Sequence, residues 1–236
     1  MRYTRHELKQ DKFAESAAEA VQGVMEHSSG IIRWAVIVVV LAAVAGGGFW
    51  YENWSQEKAS ESFGQAMATY NAPVMPPEST REPKITSFAS DQERLIASKT
   101  AFYAISSKYG WTRSGKYARY MAGITEQELG NYTVAIEQLK AVAGMHDREL
   151  ASLGSFALAG TYRGQRKDND AIALLEGLIA RPTNAVPKVN AELALADLYT
   201  AEQKPDKAKV LYDQIAKENA KNQLSEIVRA RQEQQK

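Results

Sequence analysis

The sequence predicts an all-α protein, with one N-terminal transmembrane helix followed by a solenoid of stacked helical hairpins. Three observations carry this. The run from Trp34 to Tyr51 holds no charged side chain. Beyond Tyr51, no stretch keeps the apolar–polar alternation of a β-strand. Small residues recur there in pairs twelve apart, and the pairs repeat every 36 to 37 positions.

Composition bounds the function. The chain has 236 residues, 44% hydrophobic and 24% charged, ample for a buried core in one or two domains. Its 29 basic and 28 acidic side chains leave a net charge of +1, so no global field draws it to nucleic acid. The absence of Cys excludes disulfides, thiolate metal sites and Cys nucleophiles, and His6, His27 and His146 are scant material for a metal centre. No cofactor, metal or small-molecule substrate is expected, and the composition leans away from an enzyme.

Residues 1–30 read as a cytoplasmic amphipathic tail. Leu8, Phe13, Ala17, Ala20, Val21, Val24 and Met25 recur at mostly helical spacing over 3–27, and Ser28-Ser29-Gly30 ends the run. Such a segment either docks on a partner or membrane surface or stays a partly ordered tail.

Residues 31–51 form the membrane helix. At 1.5 Å per residue they reach about 31 Å, the hydrocarbon thickness of a bilayer. Trp34 at one end and Phe49, Trp50, Tyr51 and Trp54 at the other suit aromatic belts at the two interfaces. Arg33 lies where its side chain can snorkel to headgroups. Arg2, Arg5, Lys9, Lys12 and Arg33 precede the uncharged run that starts at Trp34, whereas Lys58 is the only basic residue between Tyr51 and Asn71. That bias puts the N-terminus in the cytoplasm and the long C-terminal part on the far side. Ala43-Val44-Ala45 matches a cleavage signal, but the polar leader is too long for a signal peptide and the apolar run continues past it. The span therefore reads as an uncleaved signal-anchor, and without a following Cys it is no lipoprotein anchor.

Residues 52–71 continue as a juxtamembrane helix, with Ala59, Phe63, Ala66 and Met67 on one stripe. The linker 72–90 carries four of the seven prolines, Pro73, Pro76, Pro77 and Pro83, which remove helix donors. A helix is predicted over 91–109, the repeats fill 91–221, and 222–236 read as a polar capping helix or tail.

The repeat rests on aligned columns. Gly123 pairs with Ala135, Ala159 with Ala171, and Ala196 with Ala208. Four residues after each second member come Leu139, Leu175 and Tyr212, and seven after come Val142, Leu178 and Ile215. Ala122, Leu158 and Leu195 precede the first members, and Glu126, Tyr162 and Tyr199 follow three later. Small residues let two antiparallel helices approach, and the large ones a turn away bury against the next hairpin. One hairpin cannot cover its own apolar face, so hairpins stack.

These residues resemble the tetratricopeptide repeat. Leu129-Gly130-Asn131-Tyr132-Thr133-Val134-Ala135-Ile136 is similar to that family's interhelical turn, and Lys167 to Ala171 and Lys204 to Ala208 match it less fully. The resemblance covers roughly 114–219. It departs in the early tryptophan column, occupied by Arg119, Ser155 and Glu192, in the displaced closing proline and in a longer period. Stretches 52–71 and 91–109 read as degenerate units, since Ala59, Phe63 and Ala66, and Ala97, Ala101 and Ala104, keep second-helix spacing. Anchor plus repeats further resembles the bacterial inner-membrane proteins of the YfgM-like group, ancillary partners of the Sec translocon linked to envelope chaperones.

The resemblance implies a protein-binding groove lined by the first helix of each hairpin. The residues it implies are Tyr117, Tyr120, Ile124 and Gln127; then Leu153, Phe156 and Arg163; then Asn190, Leu193 and Asp197. Tyr120, Phe156 and Leu193 stand where a chaperone-tail clamp needs Lys or Arg, so a helix or an unfolded apolar segment is the expected occupant.

Other motifs carry less. Gly110 to Lys116 fits the start of a phosphate loop, but Tyr117 replaces the Ser/Thr that would hold magnesium and no strand precedes it. Gly115-Lys116 reads instead as the start of a helix. His146-Asp147-Arg148-Glu149 offers ligand types without a second His nearby, and Glu126 and Glu128 face different sides of a helix. Asn53-Trp54-Ser55 and Asn131-Tyr132-Thr133 match glycosylation sequons. The function expected is non-enzymatic. One reading is a membrane-anchored repeat protein serving translocon subunits, periplasmic chaperones or client chains. The other is a structural scaffold for cell division or outer-membrane biogenesis.

Overall fold

A computed structural model describes residue 22, residues 30–75 and residues 87–218. The helix expected over 3–27 (Gln22 apart), the C-terminal segment 222–236 and the middle of the Pro-rich linker lie outside the described residues. The protein is all-α. The described residues form eight helices: α1 Gly30–Tyr70, α2 Asp91–Lys108, α3 Arg113–Glu128, α4 Tyr132–Ala143, α5 Arg148–Gly164, α6 Asp168–Ala180, α7 Lys188–Ala201 and α8 Pro205–Glu218. No strand occurs among them, only an isolated parallel bridge between Val74 and Phe88. The chain divides into two units between Ser55 and Gln56.

The first unit holds the apolar part of α1. The sequence expects 52–71 to continue the apolar helix, and α1 runs through both without a break. From Ile32 it is long and apolar enough to cross a membrane, and its apolar window has no buried residue. Trp34, Val44, Phe49 and Trp50 are each more than two-thirds exposed. A contiguous apolar surface of this kind needs cover from lipid or protein.

The second unit is a run of hairpins in which each helix packs on the next. Its first hairpin pairs the end of α1 with α2. Ala59 and Ala66 of α1 are buried against Phe102, Ile105 and Tyr109, and α3 adds Ala118 and Ala122 to the same cluster. The rings of Phe63 and Tyr70 lie 5.9 and 6.3 Å from that of Phe102. Here the structure corrects the stripe expected on α2. Leu95, Ser98, Phe102 and Ile105 face inward; of the expected stripe, Ala97 and Ala101 are half-buried, Ala101 against this cluster, and Ala104 is exposed. With two alanines supplied by α1, the facing helix needs a large side chain to fill the gap, and Phe102 supplies it. The Pro-rich segment also differs from an open linker: Met75 N–H donates to Phe88 O at 3.0 Å and Phe88 N–H to Pro73 O at 3.2 Å, pinching its base.

The repeat columns fall where helix approach demands them. Gly123, Ala135, Ala159, Ala171, Ala196 and Ala208 are all buried. A β-carbon added at Gly123 would stand 2.8 Å from the side chain of Leu139, so α3 and α4 are as close as a missing methyl permits. Leu139, Leu175 and Tyr212, and Val142, Leu178 and Ile215, are buried beside them.

The α3–α4, α5–α6 and α7–α8 turns share one geometry. Gly130, Arg166 and Gln203 have φ of 78°, 56° and 58°, at the repeat's own spacing. The next residue in each turn closes a six-to-one hydrogen bond: Asn131 to Glu126 O, Lys167 to Tyr162 O and Lys204 to Tyr199 O, at 2.8, 2.9 and 2.9 Å. Only Gly130 suits the left-handed conformation freely, so the turn motif stands out in the sequence there and fades at the other two.

Candidate functional site

The ten groove residues all lie on α3, α5 and α7, the first helices of their hairpins, and none is fully buried. Tyr120, Leu153 and Phe156 are half-buried and lean on one core cluster, around Leu139, Leu158 and Tyr162. Leu193 leans on another, around Ala196, Tyr212 and Ile215. Tyr117 is half-buried under the Arg113 guanidinium, 5.8 Å from the ring centroid, and Ile124 is half-buried. Arg163 and Asn190 are exposed. Two polar members are engaged internally. Gln127 Oε1 accepts from Thr161 Oγ1 at 2.8 Å, joining α3 to α5, and Asp197 Oδ1 accepts from the buried Tyr212 hydroxyl at 2.7 Å. The members without such an internal hydrogen bond are mainly aromatic and aliphatic: Tyr117, Tyr120, Ile124, Leu153, Phe156 and Leu193.

Comparison with known families decides what kind of array this is. The model of the tetratricopeptide repeat-like domain matches residues 25–234. The chain belongs to the tetratricopeptide repeat-like family. The match reaches well beyond the 114–219 legible from motifs, taking in all of α1 and α2. No curated protein matches the chain. Repeat domains of this family are typically interaction modules that bind proteins.

Two of the departures from the tetratricopeptide pattern, Glu192 and Ser155, can be followed in the structure. In the tryptophan column, Glu192 is buried, which an isolated carboxylate would not tolerate. Lys188 Nζ lies 3.2 Å from it and Gln214 Nε2 donates at 3.3 Å, while Lys188 also pairs with Glu218 at 2.9 Å. The Glu218 carboxylate, with that of Glu192, raises the pKa of Lys188, and Lys188 in turn lowers that of Glu218. Ser155 stays half-exposed and donates back to Ala151 O at 2.9 Å.

A second buried carboxylate, Glu126, accepts from Asn131 Nδ2 at 2.7 Å and from the Tyr103 hydroxyl at 3.2 Å, with Lys99 at 3.8 Å. Glu128, exposed, accepts from the Tyr70 hydroxyl at 2.6 Å. As expected, the two glutamates do not share a site. Burial first, then the facing carboxylate, pushes the Tyr70 and Tyr103 phenols up to about 12. Both phenols thus remain donors at any physiological pH, tying α1 and α2 to α3. The partners of the two tyrosine bonds lie on different helices, 58 and 23 residues apart in the chain, which hid them from sequence reasoning.

The remaining motifs resolve into structure. Thr112 is buried and N-caps α3, donating to Tyr109 O at 2.7 Å and accepting from Gly115 N–H at 2.9 Å, so the phosphate-loop lookalike is a helix start. Asp147 caps α5 by accepting from Leu150 N–H at 3.1 Å. No group of three or more metal-ligating side chains occurs among the described residues.

Proposed function

We propose that this chain is a non-enzymatic, single-pass inner-membrane protein of the bacterial envelope whose repeats bind other proteins. Residues 31–51 cross the bilayer as an uncleaved anchor, the N-terminus faces the cytoplasm, and the repeats occupy the periplasm. The groove of Tyr117, Tyr120, Ile124, Leu153 and Phe156 takes an apolar helix or an unfolded segment. In keeping with the resemblance to the YfgM-like group, the protein acts beside the Sec translocon and passes clients to envelope chaperones. The anchor confines the groove to the place where chains emerge, raising their effective concentration without a new contact. One observation carries the reading: the match to a protein-binding repeat family begins at residue 25, ahead of an exposed apolar helix long enough to span a bilayer.

Protease added outside spheroplasts tests the topology. Residues 52–236 are digested and 1–33 survive as a protected fragment. Protection of the whole chain would put the repeats in the cytoplasm and end the envelope reading.

A further inference from the structure

One cavity has none of the ten groove residues in its lining. It has a volume of about 470 Å³, within the range of small ligand pockets, and is walled by α5, α6 and the segments that follow α4 and α6. Its lining includes small or aliphatic residues, with Ala151 and Ser155 on α5 and Ala173, Leu174 and Gly177 on α6. Ser155, at the position where the repeat pattern has a tryptophan, is among its lining residues.

The mouth is cationic. His146, Arg148 and Arg181 line it, all three are exposed, and no acidic residue is among its lining. Neither arginine forms an ion pair among the described residues. The nearby carboxylates are committed elsewhere: Asp147 caps α5, and Glu149 accepts from Ala185 N–H at 2.7 Å. The wall is also fastened. Arg148 donates to Pro182 O at 3.1 Å, and Ser152 and Thr183 share a hydroxyl hydrogen bond of 2.7 Å. With the Glu149 contact, three bonds hold the 182–185 segment to the first turns of α5, so a ligand finds the pocket already formed.

We propose that this pocket binds an acidic peptide segment carrying one large apolar side chain. The side chain enters the cavity between α5 and α6. Carboxylates flanking it meet Arg148, from the first turn of α5, and Arg181, just past the end of α6. Guanidinium–carboxylate hydrogen bonds are among the stronger charge-assisted ones, and the mouth holds no carboxylate that would compete. A bare phosphate would satisfy the arginines but leave Leu174 and the alanines wet. The site is independent of the groove and shares no residue with it.

Isothermal titration of the full-length chain in a nonionic detergent tests this with the blocked peptide Glu-Asp-Phe-Asp-Glu. The peptide binds, and affinity falls as salt rises. Arg181→Glu weakens binding about tenfold or more by reversing a charge at the mouth. Ser155→Trp removes it by filling the cavity, while the groove variant Tyr120→Ala leaves it within about twofold, as expected of sites that share no residue. Circular dichroism establishes that each variant is folded. Since Arg181 is an exposed residue, its variant keeps the test decisive even where Ser155→Trp misfolds. Absence of binding, equal binding of the Phe→Ala peptide, an unchanged affinity in Arg181→Glu, or displacement by equimolar inorganic phosphate would each overturn the assignment.

Discussion

Replacing Ala171 by Leu destabilises the array by about 1–3 kcal/mol, the usual range for overpacking a close helix contact. For a domain of this size that lowers the melting temperature by roughly 3–10 °C. Ala171 is fully buried on α6, in the cluster that holds Ala159, Leu175 and Tyr162. Three added carbons have nowhere to go unless α5 and α6 part. Ala135→Leu on α4 behaves alike, since Ala135 is equally buried and stands at the same repeat position. Ala180, exposed at the end of α6, is the control: Ala180→Leu stays within about 0.5 kcal/mol. Melting curves by circular dichroism read the difference. If Ala171→Leu and Ala180→Leu melted together, the repeat register would be wrong.

Gly115→Ala has the larger cost for the smaller change. A β-carbon there would clash with the carbonyl O and C of Tyr109, backbone atoms that cannot swing aside. To admit the methyl, the 109–112 connection must shift, and with it the Thr112 cap, which joins Tyr109 O to Gly115 N–H. Overpacking together with loss of a cap comes to about 2–4 kcal/mol. The loss is local to the α2–α3 junction, so hydrogen exchange rises there before it rises in α7 and α8. Exchange accelerated uniformly, or melting like the parent, would contradict this packing.

The core was legible in the sequence because its logic is periodic. Columns such as Ala122, Leu158 and Leu195, read from spacing alone, are buried in all three hairpins. The 129–136 turn was legible because it uses Gly130 where φ is positive, whereas Arg166 and Gln203 adopt the same conformation without advertising it. On α2 periodicity gave part of the answer: Ala101 of the alanine stripe packs on the core, but the buried centre of that face is Phe102, whose partners Ala59 and Ala66 lie across a Pro-rich segment. The groove was legible only as positions. That Asp197 is held by Tyr212 and Gln127 by Thr161 depends on residues from the neighbouring helices, which only folding brings alongside. The pocket between α5 and α6 left one trace in the sequence, Ser155 in the tryptophan column; its cationic mouth comes from segments that meet only in the folded array.

The most direct test of the account is affinity purification of the tagged full-length protein from membranes in mild detergent, followed by quantitative mass spectrometry. An anchored repeat protein beside the translocon enriches Sec channel subunits, and deleting residues 1–51 abolishes that enrichment. Recovery of division or outer-membrane assembly proteins without Sec subunits would contradict it, leaving a repeat scaffold for a different envelope machine.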